Sequence, residues 1–153
     1  MTHPTAMTAN SGQAAGESLD ALIDLHMHSV DTRRGFEKMV EKAEPSFRTV
    51  VDRFVALHTR QVARLDQMVR EMGAVPDAAG SFMGTLNRAV VSIRAALDSI
   101  DSDSMAQIRS GEGFVLAAFD RALAASLPQG HKAALTDMRG ELVALLASTG
   151  PAT

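Results

Sequence analysis

Apolar residues recur along most of this chain at the spacing of one face of an α-helix. The clearest case is the stretch from Ser46 to Met72, whose apolar stripe consists of Phe47, Val50, Val51, Phe54, Val62, Leu65, Val69 and Met72. One ionisable residue, His58, interrupts this stripe at its middle, within about a fifth of a turn of Phe47 and Leu65. The pattern therefore predicts a long helix that points a histidine into the protein.

The remaining pattern predicts three more long helices and a short one. The first helix begins at an N-cap at Ser18 and runs to about Ala43, and a short turn at Glu44-Pro45 leads into the second helix, which ends at Gly73. Further along, the pattern predicts a loop over 74–80, a short amphipathic helix from Ser81 to about Leu97, a third long helix from about Ser102 to Ala125, and a last helix to about Ala147. We expect one domain over 18–148, with a disordered tail over 1–17 and a second tail over 149–153.

Polar residues also fall at inward positions in the first and third helices. Arg33 and Glu37 lie on the stripe of the first helix, and Glu112 lies at the middle of the stripe of the third. If the turns before the second and the last helix lie at the same end, a rise of about 1.5 Å per residue places His58 and Glu112 in one layer. Arg33 then lies near that layer, whereas Glu37 lies about 10 Å from His58 along the axis.

Composition favours an all-α protein and excludes several functional classes. Hydrophobic residues make up 46% of the 153 residues but aromatic residues only 4%, which suits helix packing better than a β-sandwich. With a net charge of -3, the chain has no cluster of basic residues that would bind nucleic acid. It also has no cysteine, which excludes disulfides and thiol chemistry. With no signal-peptide pattern and no long apolar run, we expect a cytoplasmic protein that does not bind membranes.

Several short segments are similar to those of a bacterial protein family. They are Gly35-Phe36 in the first helix, Arg-Glu-Met-Gly73-Ala-Val-Pro at the end of the second, Ala-Ala-Gly80-Ser-Phe-Met-Gly-Thr-Leu-Asn-Arg88 in the crossover, and Arg109-Ser-Gly-Glu112 and Ala118-Phe-Asp-Arg-Ala-Leu123 in the third. In this order, from Leu19 to about Leu146, the chain resembles the ferritin-like four-helix-bundle proteins of unknown function, often grouped with stress-associated bundle proteins. The resemblance implies a ferritin-like bundle with a short extra helix in the long crossover, and no assigned activity.

Ferritin-like relatives with oxidase activity hold two metal ions, with a Glu from each of two helices and a Glu-x-x-His pair from each of the other two. In this chain Val55 stands where the glutamate paired with His58 is expected, and Glu141 is followed by Ala144 instead of a histidine. The expected ligands that remain are at most Glu37, His58 and Glu112.

Two interpretations of the inward polar residues stay open. One is a buried hydrogen-bonded network of Arg33, His58 and Glu112 in a non-catalytic bundle without a cofactor. The other is a degenerate iron or manganese site at His58 and Glu112, with Glu37 as a third ligand, in an oxidase or storage bundle. Because a tight metal site needs at least three converging ligands, we favour the first. We expect a homodimer that acts through its surface, with a protein partner at Phe82 to Leu97 as a further possibility.

Overall fold

The computed structural model describes residues 4–76 and 100–149, with side chains from residue 15 onwards, and every regular element in these segments is helical. The elements are α1 (Pro4–Lys42), α2 (Pro45–Glu71), a 3₁₀ helix (Ser102–Ser104), α3 (Met105–Ala124) and α4 (Gln129–Ser148). The predicted all-α class and the four long helices are therefore confirmed for the described residues. The crossover helix predicted from Ser81 to Leu97 lies outside them.

The observed bounds of α2 agree with the prediction, and those of α1 do not. Pro45 opens α2 at a position where a helix needs no backbone donor, and Gly73 follows its end with a φ of +86°, which favours glycine. In contrast, α1 begins at Pro4, so Ser18 is a buried residue inside the helix and not its N-cap. The segment before Ser18 is rich in alanine, and extending an existing helix adds one hydrogen bond for each residue that is fixed. Our prediction considered only its lack of apolar surface.

Two helical hairpins make up the bundle. The main neighbours of α1 are α2 and α3, and those of α4 are also α2 and α3. The amide of Glu44 donates to the carbonyl of Ile100 over 2.8 Å, so the segment that enters α3 lies beside the α1–α2 turn. At the other end, Nε2 of His131 lies 2.9 Å from Oε2 of Glu71, which places the start of α4 beside the end of α2.

The two short turns therefore lie at opposite ends of the bundle, and our assumption that they share one end was wrong. Consequently α2 and α3 run in the same direction, and α2 ends at the end of the bundle opposite to the one at which α3 begins. Glu44 and Ile100 lie at one level, so Glu112 is twelve residues, about 18 Å, from that level and His58 is fourteen residues, about 21 Å, from it. The two depths are similar despite the incorrect premise, because both residues lie near the middle of their helices.

The hydrophobic core runs along the axis between the four helices. Its largest fully buried apolar side chains are Phe54, Phe119, Leu22, Leu25, Leu65, Met68, Ile100, Leu135 and Leu142. Removing such side chains from water contributes about 1.5–3 kcal/mol each, which is the main stabilisation of the fold. Within residues 4–76 and 100–149, no helix combines the length and the apolar character needed to cross a bilayer.

Candidate functional site

The most deeply buried ionisable groups described in the bundle form one pair between α2 and α3. Nε2 of His58 lies 2.6 Å from Oε1 of Glu112, and both side chains have an exposed fraction of 0%. His58 faces inward because it lies on the apolar stripe of α2, and Glu112 lies on the buried face of α3 between Ile108 and Val115. At this distance the two atoms form a short hydrogen bond. The sequence prediction that the two residues occupy one layer is thus confirmed.

Phe36 packs on the His58 ring, and Gln61 adds a buried polar contact to α4 one turn further along α2. Phe36 of α1 stacks on the His58 ring, with ring centroids 5.7 Å apart and planes inclined by 16°, and stacks on Phe54 from the neighbouring turn of α2 at 4.9 Å. Gln61, one turn further along α2, donates from Nε2 to the backbone carbonyl of Met138 in α4 over 2.8 Å. The polar layer therefore involves all four helices, because α1 contributes Phe36 and α4 contributes this carbonyl.

Three polar atoms of this layer have no hydrogen-bond partner among the described residues. They are Nδ1 of His58, Oε1 of Gln61 and Oε2 of Glu112. If His58 is neutral and donates from Nε2, its Nδ1 is an unused acceptor; if it is protonated, Nδ1 is an unused donor. In either case the layer contains buried polar atoms that lost their water on folding, and each such atom costs about 1–3 kcal/mol.

Arg33 and Glu37, the other residues that we predicted for the site, contact each other. Nε of Arg33 lies 3.6 Å from Oε1 of Glu37, one helical turn away, with side chains 27% and 53% exposed. Neither residue has an ion pair or hydrogen bond with His58 or Glu112 among the bonds of the described residues. The structure therefore brings together two of the four predicted residues, and it places the other two at the side of α1.

The pair falls short of what a metal site needs. Among the residues that the structure describes, no three His, Asp or Glu side chains lie close enough together to hold one ion. Two donors on one ion at about 2.0–2.2 Å would lie roughly 3.4 Å apart in tetrahedral geometry, whereas Nε2 and Oε1 are 2.6 Å apart. At the position of the missing ligands, Val55 packs against the core, and the exposed Glu141 lies 3.8 Å from Arg60. These residues do not fit a dinuclear centre.

Three further polar residues of α1 are buried outside the predicted site. His26, which falls on the apolar stripe of α1, is 3% exposed, whereas Ser29 (0% exposed) and Asp31 (7% exposed) were not predicted to be buried. Burial lowers the pKa of His26, an effect that Asp66 opposes and Arg33 increases. Burial likewise raises the pKa of Asp31. Since α1 packs on both α2 and α3, its buried sector is wider than the single stripe of an amphipathic helix.

The family model described as Domain of unknown function (DUF2383) matches residues 17–125 of this chain. This match covers more than half of the 153 residues. The chain belongs to the DUF2383 family. Both members of the His58–Glu112 pair lie within the part matched by the DUF2383 model, whereas α4 lies beyond it. No match was found to a curated protein or to a solved structure.

Proposed function

We propose that this DUF2383 protein is a non-catalytic, ferritin-like helical bundle in which the His58–Glu112 pair is structural and the function lies in self-association as a dimer. The observation that carries this proposal is the burial of the pair. Both side chains are 0% exposed, and they bond to each other at 2.6 Å. A catalytic group must reach its substrate, directly or through one water molecule, and neither of these groups has a surface from which to do so.

The chain order of the bundle supports the ferritin-like part of the proposal. Two antiparallel hairpins, with their turns at opposite ends and a long connection between α2 and α3, follow the plan of bundles with one long crossover. A structural role for the pair is consistent with its contacts. A buried polar group that finds its partner in only one arrangement of the helices opposes other registers, because every other register leaves it unpaired.

Metal analysis tests the non-catalytic part. The protein is purified in metal-free buffer, incubated with Fe²⁺ or Mn²⁺ and passed through a desalting column, and bound metal is measured by inductively coupled plasma mass spectrometry. The matched control is the double variant His58→Leu/Glu112→Leu, which removes both donors at similar volume. We expect both proteins to be folded and to retain the same substoichiometric amount of metal. Stoichiometric iron or manganese in the wild type that the double variant loses would refute the proposal.

A metal-binding oxidase or storage bundle is the second candidate. The observation that favours it is that Nδ1 of His58 and Oε2 of Glu112 are buried without partners. These two atoms supply only two ligands, so this candidate requires a rearrangement in which the Nε2–Oε1 bond opens and a third donor arrives. The stoichiometric outcome of the metal analysis would select this candidate.

Three predictions about the setting of the protein remain part of the proposal. They are a cytoplasmic location, a role in stress or envelope maintenance, and a protein partner on the apolar face of Phe82 to Leu97. That last segment lies outside the described residues. Fractionation of cells that produce a tagged full-length protein tests the location, and recovery of the protein outside the cytoplasmic fraction would contradict it.

A further inference from the structure

An open cavity lies where the start of α2, the start of α3 and the end of α4 meet. It has a volume of about 660 Å³, which is within the range of about 300–1,000 Å³ that is usual for small-molecule sites. Neither His58 nor Glu112 lines it, so it is separate from the candidate site described above. We call it the end cavity, and the lining residues that matter below are Phe47, Val50, Arg53, Asp103, Met105 and Arg109.

Two arginines from different helices converge in the end cavity. Nη2 of Arg109 in α3 donates to the carbonyl of Leu146 over 2.8 Å, and Nη2 of Arg53 in α2 donates to Oγ of Ser148 over 3.1 Å. Both acceptors lie in the last turn of α4, so the two guanidinium groups are held beside the same turn. Nε and Nη1 of both arginines have no hydrogen-bond partner within residues 15–76 and 100–149. These donors are therefore available to a ligand.

No carboxylate among the described residues pairs with either arginine. Both hydrogen bonds go to uncharged oxygens, which leave the positive charge of a guanidinium group in place. Five other arginines do lie within 3.8 Å of a carboxylate oxygen, namely Arg33, Arg60, Arg70, Arg121 and Arg139. Arg53 and Arg109 thus differ from most arginines of the bundle, and they share one cavity.

Two features offset part of this positive charge. Asp103 also lines the end cavity and contributes one negative charge, and the C-terminal end of α4 acts as about half a negative charge. Together these are smaller than the two positive charges of Arg53 and Arg109. The end cavity is therefore electropositive, although the whole chain has a net charge of -3.

The chemistry of the lining indicates the class of ligand. The planar N–H pairs of arginine match the oxygens of a carboxylate or a phosphate group. Phe47, Val50 and Met105 line the same cavity and offer an apolar surface. Apolar walls with a few polar groups that fix the orientation of the ligand are typical of small-molecule sites.

We propose that the end cavity binds a small organic anion. The carboxylate or phosphate group of the ligand lies on Arg53 and Arg109, and its apolar part packs on Phe47, Val50 and Met105. This binding activity goes beyond the proposed function and depends neither on the His58–Glu112 pair nor on the dimer.

Isothermal titration calorimetry of the full-length protein with hexanoate and with hexyl phosphate tests the proposal. We expect the wild type to bind at least one of them, and the tighter compound identifies the head group that the site prefers. Acetate and inorganic phosphate lack the apolar part, so the corresponding head group alone should bind at least about tenfold more weakly. No binding of hexanoate or hexyl phosphate at about 10 mM would overturn the proposal.

Variants of the two arginines test where the anion binds. Arg53→Gln and Arg109→Gln should each raise the dissociation constant by about tenfold or more, because each removes a charge-assisted hydrogen bond. The matched control is Arg64→Gln, which removes the same charge from an exposed position of α2 about 16 Å further along the helix. Arg64 hydrogen-bonds to Gln67 and does not line the cavity. Equal affinities in all three variants would overturn the proposal.

Asp103→Asn should have the opposite effect, which loss of folding could not produce. Removing the carboxylate that repels an anion should lower the dissociation constant by about two- to fivefold, whereas Asp137→Asn, at an exposed position of α4, should leave it unchanged. A weaker complex in Asp103→Asn would count against the site. Sedimentation equilibrium of the same proteins keeps the two proposals apart. A monomeric wild type that still binds the anion would refute the proposed dimer and leave the end cavity standing.

Discussion

Replacing the two members of the His58–Glu112 pair by leucine, singly and together, measures what the pair does for stability. His58→Leu leaves the Glu112 carboxyl group buried with no partner, and Glu112→Leu does the same to the His58 ring. Both side chains are 0% exposed, so water cannot replace the lost hydrogen bond unless the bundle opens. Breaking one side of such a pair costs about 3–5 kcal/mol, so each single variant should lose that much of its free energy of unfolding.

The double variant should behave differently. It removes both polar groups at similar volume, and it removes the unpaired Nδ1 of His58 and Oε2 of Glu112 as well. Replacing a buried pair by well-packed apolar residues is often neutral or stabilising by about 1–4 kcal/mol. We therefore expect the double variant to be at least as stable as the wild type. The coupling free energy between the two positions should then be about 6 kcal/mol or more, from the two single losses that the double variant avoids.

Urea denaturation followed by circular dichroism gives the four free energies of this cycle. At about 2–4 °C per kcal/mol for a chain of this size, the single variants should also melt roughly 6–20 °C below the wild type. Additive losses in the double variant would refute the reasoning, since they would mean that the two side chains do not depend on each other. Equal m-values for the four proteins are the control that they unfold from comparable native states.

Three further predictions concern titration and backbone geometry. Burial lowers the pKa of His26 below 6.5, so the unfolded chain binds a proton at this residue before the folded protein does as the pH falls. The free energy of unfolding should therefore fall as the pH drops below about 6.5 and level off below the lowered pKa. His26→Gln should reduce this slope in urea titrations at several pH values, and an unchanged slope would contradict the assignment. Burial raises the pKa of Asp31 above 3.8, so its ionised form opposes folding at neutral pH. Asp31→Asn should raise the denaturation midpoint at pH 7, and this gain should shrink as the pH falls through the raised pKa and vanish below about 3.8, where both states are protonated; a lower midpoint at pH 7 would argue against it. Gly73 has a φ of +86°, whereas Gly111 lies inside α3 with open space around the position of a Cβ atom. In thermal melts, Gly73→Ala should therefore lower the free energy of unfolding by about 1 kcal/mol, and Gly111→Ala should raise it by about 0.5–1 kcal/mol. A shift of the melting temperature in the same direction for both variants would be inconsistent with this difference.

The long helices and the inward position of His58 and Glu112 could be predicted because they depend on local periodicity. An ionisable residue at the middle of an apolar stripe points inward whatever the other helices do. The partner of His58 could be inferred as well, since both residues lie near the middle of their helices. For this reason, the incorrect choice of end for the α3–α4 turn had little effect on the predicted level of Glu112 relative to His58.

The roles of Arg33 and Asp31 could not be predicted in the same way. Both lie at the margins of the α1 stripe, and their exposure depends on how far the neighbouring helices wrap around α1. Arg33 lies on a side from which its long side chain reaches Glu37, whereas Asp31 is covered. Periodicity gives the direction of a side chain but not the width of the buried sector, which is decided by tertiary packing.

The contact between the α1–α2 turn and Ile100 has a consequence for hydrogen exchange. The amide of Glu44 donates to the Ile100 carbonyl, and the amide of Ile100 donates to the Lys42 carbonyl. These bonds join the two hairpins through the backbone, and Ile100 itself is 1% exposed. Their protons can exchange with solvent only when these two bonds break, that is, when the backbone at Ile100 moves away from the α1–α2 turn. The exchange rates of Glu44 and Ile100 therefore report the free energy of opening this backbone contact between the two hairpins.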